Sequence, residues 1–86
     1  MEMDIKFEWA GPDGTDDASV TKYTCWFGAV RVGGIHKYGR GEYDAWFGHN
    51  DGRHRRASMC QDIPLLAEAK AWVEAKAREW LAEVTA

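Results

Sequence analysis

Three histidines, His36, His49 and His54, and two cysteines, Cys25 and Cys60, are the side chains of this 86-residue sequence best suited to hold a transition metal. Zinc sites announce themselves through short repeats such as C-x-x-C or H-x-x-x-H, which set two ligands on one turn. Neither spacing occurs, and each candidate falls in its own loop or strand, so no metal site is expected. Nucleophilic catalysis needs a hydroxyl or thiol held against a base. Ser19 and Ser58 sit in no Gly-x-Ser-x-Gly turn. Cys25 lies among aromatics, where a thiol is inert. Gly39-Arg40-Gly41 lacks the rest of a phosphate-binding loop. The residues predict no enzyme and no cofactor.

Two patterns point instead to binding. The first is the basic run Arg53-His54-Arg55-Arg56, extended by Lys37, Tyr38 and Arg40. Bases mixed with an aromatic ring suit phosphates and unstacked nucleobases, or an acidic protein surface. The plain alternative is a solvated edge strand and turn. The second pattern is a hexapeptide used twice. Tyr23-Thr24-Cys25-Trp26-Phe27-Gly28 is echoed by Tyr43-Asp44-Ala45-Trp46-Phe47-Gly48. Two copies make two neighbouring strands with like packing needs, not a repeat protein.

In a strand, side chains alternate between faces. Tyr23, Cys25, Phe27, Tyr43, Ala45 and Phe47 then share one face, and Trp26, Val30 and Trp46 share the other. Both faces are apolar, and one helix covers only one of them. A face with two Trp and a Val exceeds what a monomer usually leaves wet, so loops or a partner must cover it. Trp72 lies about 100° from the centre of the helical apolar stripe, among Glu68, Ala75, Glu79 and Glu83. It is either packed at the sheet margin or an interface anchor with an acidic rim.

The elements that would carry these residues follow from periodicity. Ile5, Phe7 and Trp9 alternate with Asp4, Lys6 and Glu8, which predicts a strand over 3–10. Gly11-Pro12-Asp13-Gly14 reads as its end, with a polar loop through Ser19. Residues 20–32 are rich in β-branched and aromatic types and read as one strand. Gly33-Gly34 then marks a turn or bulge, and 35–41 fits either a continuing hairpin or an irregular connection. Residues 42–48 read as a third strand, 49–52 as a turn, and 53–59 as a fourth strand at an edge guarded by its basic side chains. Asp62 reads as the cap of a helix with Pro64 in its first turn. Leu66, Ala69, Val73, Ala77, Trp80 and Val84 form its apolar stripe, and Glu74 and Arg78 an exposed pair. The expected fold is α+β: a three- to four-stranded antiparallel sheet over 1–61 with one C-terminal helix, 62–84, packed on one face.

Length, 45% hydrophobic residues and 29% charged residues bound the chain to one globular domain. No stretch approaches the ~18 apolar residues of a membrane helix, and no basic-then-apolar leader opens the chain. Two separate cysteines read as free thiols, which sets a cytoplasmic expectation. The net charge of −3 argues against a general phosphate binder. It is uneven: −5 over residues 1–19, +4 over 20–61 and −2 over 62–86. These segments neutralise one another in the fold or make a bipolar surface that steers a partner.

Three strands followed by one long helix is similar, in element order alone, to the double-stranded-RNA-binding fold without its first helix. Asp62, Ile63 and Pro64 stand where that family places lysines, so its function is not carried over. In its small size, acidic balance, aromatic anchors and lack of a catalytic motif, the chain resembles the small acidic proteins of phages and mobile elements, anti-CRISPR proteins prominent among them. The resemblance is one of style and transfers no residue. It implies a non-enzymatic protein-binding inhibitor that occupies a surface of a larger complex. Trp26, Trp46 and Trp72 would be its anchors, and Arg53, Arg55 and Arg56 would steer. One alternative is a nucleic-acid-binding module built on the basic turn and Tyr38. The other is a structural homodimer closed through the aromatic sheet face.

Overall fold

A computed structural model describes residues 5–16, 18–39, 41–50 and 55–84, except for the side chains of 49, 50, 55–57 and 84. Its elements are β1 (Glu8–Gly14), β2 (Val20–Phe27), β3 (Val30–Tyr38), β4 (Tyr43–Asn50), β5 (Arg55–Ile63) and α1 (Leu66–Val84). The strands form one antiparallel meander in the order β1-β2-β3-β4-β5. The helix packs across β3, β4 and β5. The α+β class and the C-terminal helix agree with expectation, whereas the strand count of three to four does not.

The fifth strand arises because 20–32 is two strands. Gly28 takes φ +60, which most side chains avoid, and a two-residue turn through Gly28 and Ala29 folds β3 back on β2. Of the turn or bulge expected at Gly33-Gly34, the structure has no turn there but does have a bulge-type register shift. The pair lies in the buried middle of β3, with that shift beside it opposite Cys25 and Trp26. The ambiguous stretch 35–41 is β3 as far as Tyr38, then a turn in which the Gly41 N–H donates to the Tyr38 carbonyl at 2.9 Å.

Other boundaries move for local reasons. Gly11-Pro12-Asp13-Gly14 does not end β1, which runs through it with a register shift between Ala10 and Asp13. An edge strand tolerates a proline because one side of it needs no N–H donor. Asp62 is not the helix cap. It is the last residue but one of β5, with φ +59, and its N–H donates to Asp44 Oδ1 at 3.1 Å. The helix starts at Leu66, so the sheet region ends at 63 rather than 61. His49 and Asn50, expected to open a turn, are the end of β4. Residues 3–4, the second half of the predicted 49–52 turn and the start of the predicted 53–59 strand lie outside the described residues.

The core is a single cluster. Cys25, Val32, Ile35, Ala45, Phe47 and Ile63 from the sheet meet Ala69, Val73, Ala77, Trp80 and Leu81 from α1. The i, i+4, i+8 alanine and valine stripe keeps the helix close to the strands. Around it, Phe7, Trp9, Tyr23 and Phe27 are half-buried. The flank of α1 reaches over them with long side chains. Lys70 Nζ lies 5.5 Å from the Trp9 ring centroid and 5.8 Å from that of Tyr23. Arg78 Cζ lies 5.1 Å from the Phe7 ring centroid. The Trp9 indole N–H donates to Glu74 Oε2 at 3.3 Å. The Glu74–Arg78 pair expected from spacing is present at 3.8 Å.

Candidate interaction face

Two adjacent glycines fix which side of the sheet faces the helix. A Cβ on Gly33 would meet Val73 Cγ1 at 2.7 Å, so that side of β3 is against α1. A Cβ on Gly34 would meet Trp46 Nε1 at 2.7 Å and Cε2 at 2.9 Å, so Trp46 lies across β3 on the opposite side. Tyr23, Cys25, Phe27, Tyr43, Ala45 and Phe47 all belong to the core or pack on it. Their face is the one α1 covers, and the twice-used hexapeptide divides as its alternation predicts.

Strand register then builds the helix-free face. Residues directly opposite each other in an antiparallel pair share a face. Trp26 is opposite Glu8 on one side and Arg31 on the other. Trp46 is opposite Gly34 and Met59. His36 is opposite Lys22 and Asp44. The guanidinium carbon of Arg31 lies 5.6 Å from the Trp46 ring centroid, a cation–π distance. His36 and Tyr38 have ring centroids 6.5 Å apart. Trp26 and Trp46 are half-buried, Tyr38 is 44% exposed and Met59 66% exposed. Among the described residues no helix lies over this face.

Val30 is a correction. It is opposite Phe27 and so belongs to the helix side, at its open end. The Gly28 turn shifts the alternation by one residue, and Arg31 takes the place assigned to Val30. Lys37 is also separated from Tyr38, since its ammonium lies 6.0 Å from the Tyr43 ring centroid on the other face.

The remaining candidates do not join this surface. Trp72 is half-buried against the core margin, with Lys76 Nζ 5.8 Å from its ring centroid. It lies on α1, across the sheet from Trp26 and Trp46. Arg40 and Arg53 lie outside the described residues. Arg55 and Arg56 are placed only by strand position, opposite Asn50 and His49 at the start of the edge strand β5. The partners that sequence reasoning missed are Arg31, Met59, Lys22 and His36. The signal was available in the pairing register, which depends on the Gly28 turn.

Chemistry elsewhere is sparse. Cys25 is fully buried, and that burial, with Glu74 as a lesser cause, pushes its thiol up to about 12. Such a thiol is a packing group rather than a nucleophile. Cys60 is half-buried and unbridged. Among the described residues no three His, Cys, Asp or Glu side chains gather to hold a metal ion. No helix among them is long and apolar enough to cross a membrane. No protein-family model, no curated protein and no solved structure matches the chain.

Proposed function

We propose that the chain is a small non-enzymatic binding protein that works by occupying a surface of a larger, protein-containing assembly. The observation that carries this reading is the helix-free sheet face, where Trp26, Trp46 and the exposed Met59 stand with Arg31 among them. Tryptophan and arginine are the residue types most enriched at binding hot spots. Apolar side chains standing together on an uncovered sheet face mark an interaction site. The edges of the sheet offer less. On β1 the regular ladder breaks at Gly11–Pro12, and β5 opens with Arg55 and Arg56 and closes with a register shift. Docking is therefore assigned to the face rather than to strand addition.

An inhibitor of host defence carried by a phage or mobile element, of the anti-CRISPR type, is the concrete version of this reading. Two unbridged thiols fit a reducing, cytoplasmic setting. The test uses the wild-type chain and Trp46→Ala as parallel baits, with circular dichroism to establish that both are folded. A partner assembly retained by the first and lost from the second is expected. Equal retention by both removes the face as the site.

A further inference from the structure

Register arranges the helix-free face in rows that run across the sheet. The middle row, from β1 to β5, is Ala10, Thr24, Gly34, Trp46 and Met59, and it carries no charge. On one side of it lie Glu8, Trp26 and Arg31, with Gly48 level with them on β4, two residues beyond Trp46. On the other side lie Asp13, Lys22, His36 and Asp44, in that order. Both signs are interspersed, so the face matches neither a polyanion nor a polycation. β3 runs down its centre, two strands from either edge.

We infer that this face also closes on a second copy of the chain, in a weak two-fold dimer that forms at high concentration. A two-fold axis along β3 lays β2 over β4 of the second copy and β1 over its β5, with each row facing the same row. Every contact off the axis then occurs twice. Lys22 falls over Asp44 of the second copy, and Asp44 over its Lys22. One Asp44 oxygen is held by the Asp62 N–H, which leaves the other for the ammonium. Trp26 falls over Gly48 and Met59 over Ala10, so large side chains of each sheet enter low places on the other, as in aligned sheet packing. The Trp46 indole reaches across Gly34 to the axis, so the two indoles adjoin at the centre. Arg31 starts on the axis, but its guanidinium lies toward Trp46, on the side where Glu8 of the second copy stands over β5. Gly34, His36 and Tyr38 meet their own copies. Strands about 4.8 Å apart and about 20 Å long give five of them a face of roughly 500 Å², or about 1,000 Å² for the pair. That clears the lower bound of a specific interface and stays among the transient ones. The dimer is therefore weak, and the face is open at micromolar concentration. The inference uses the face assigned above to docking but needs no foreign partner.

The test is sedimentation equilibrium of the chain from about 10 µM to about 1 mM, the range in which a transient interface fills. The mass is expected to be that of the monomer at the lower end and to approach twice that at the upper. Lys22→Asp sets acid against acid at both copies of the pair and should weaken the dimer about tenfold or more. Asp44→Lys should do the same with bases. An equimolar mixture of these two variants should dimerise at least as well as wild type, because each pair regains opposite signs. Met59→Asp, which falls between Glu8 and Asp13 of the second copy, should weaken the dimer more than Met59→Lys does. Glu68→Gln, on the helix, should leave it unchanged. Circular dichroism establishes that each variant is folded, and the Met59 pair serves if Asp44→Lys is not. A chain that stays monomeric at the upper concentration overturns the inference, as does a dimer indifferent to both Lys22→Asp and Met59→Asp. A mixture of folded charge variants no better than either alone overturns it too. None of these results touches the docking reading, whose bait experiment runs at low micromolar concentration, below the range of the dimer.

Discussion

At the scale of the residue, Gly33 and Gly34 decide most. Each lacks a side chain because something else occupies the space: the Val73 methyl on one side of β3, the Trp46 indole on the other. A methyl on Gly34 would stand 2.8 Å from the Tyr23 carbonyl oxygen, as well as against the indole. Gly34→Ala should cost about 1–3 kcal/mol through overpacking. For a chain this size that lowers the melting temperature by roughly 4–8 °C per kcal/mol. Gly33→Ala should cost more, because its methyl would meet the Trp46 carbonyl oxygen at 2.5 Å, and backbone cannot swing aside. Gly14→Ala, with open space around it, is the control for both melts. Gly-Gly was read as a turn or bulge because small residues permit both; the register shift beside Gly33 fits the second use, and nothing in composition separates either from making room for a neighbour.

Cys25 belongs to the same scale. Its thiol is neutral in the fold and its pKa is raised from 9.0 to about 12. The folded state thus holds this proton more tightly than the unfolded chain does. The stabilisation is complete below pH 9 and is lost as pH rises from there towards 12. Wild type should therefore lose stability more steeply than Cys25→Ala across that window in denaturant titrations. Equal slopes would mean the thiol is not buried as described.

At the scale of the element, the helix was legible from sequence and the strand boundaries were not. Ala69, Val73, Ala77 and Trp80 are on the buried face as their spacing requires. Leu81 joins them one turn after Ala77. The small residues there set the distance between α1 and the sheet. Ala77→Leu should force that layer apart and destabilise by about 1–3 kcal/mol in urea unfolding. Ala75→Leu, at an exposed helix position, should change it little. The single strand read over 20–32 failed because β propensity is continuous through it, whereas the break rests on one residue, Gly28, at positive φ. That turn also sets the partners of Trp26. Missing it exchanged Arg31 for Val30 on the helix-free face, so the candidate site was half legible. Both tryptophans were named, but their cationic and sulfur neighbours were not.

At the scale of the whole molecule, one long helix and five strands leave an asymmetry. The helix side is filled by aromatics and capped by Lys70 and Arg78. The other side has two tryptophans and a methionine with no helix over them among the described residues. Everything proposed about function depends on that side being open in the free chain. Hydroxyl-radical footprinting of the chain alone at micromolar concentration tests this most directly. The account predicts strong oxidation of Met59, clear labelling of Trp26 and Trp46, and protection of the core residue Trp80. Protection of Trp26 and Trp46 to the level of Trp80 would mean that a second copy or the rest of the chain already covers the face, and would contradict the account.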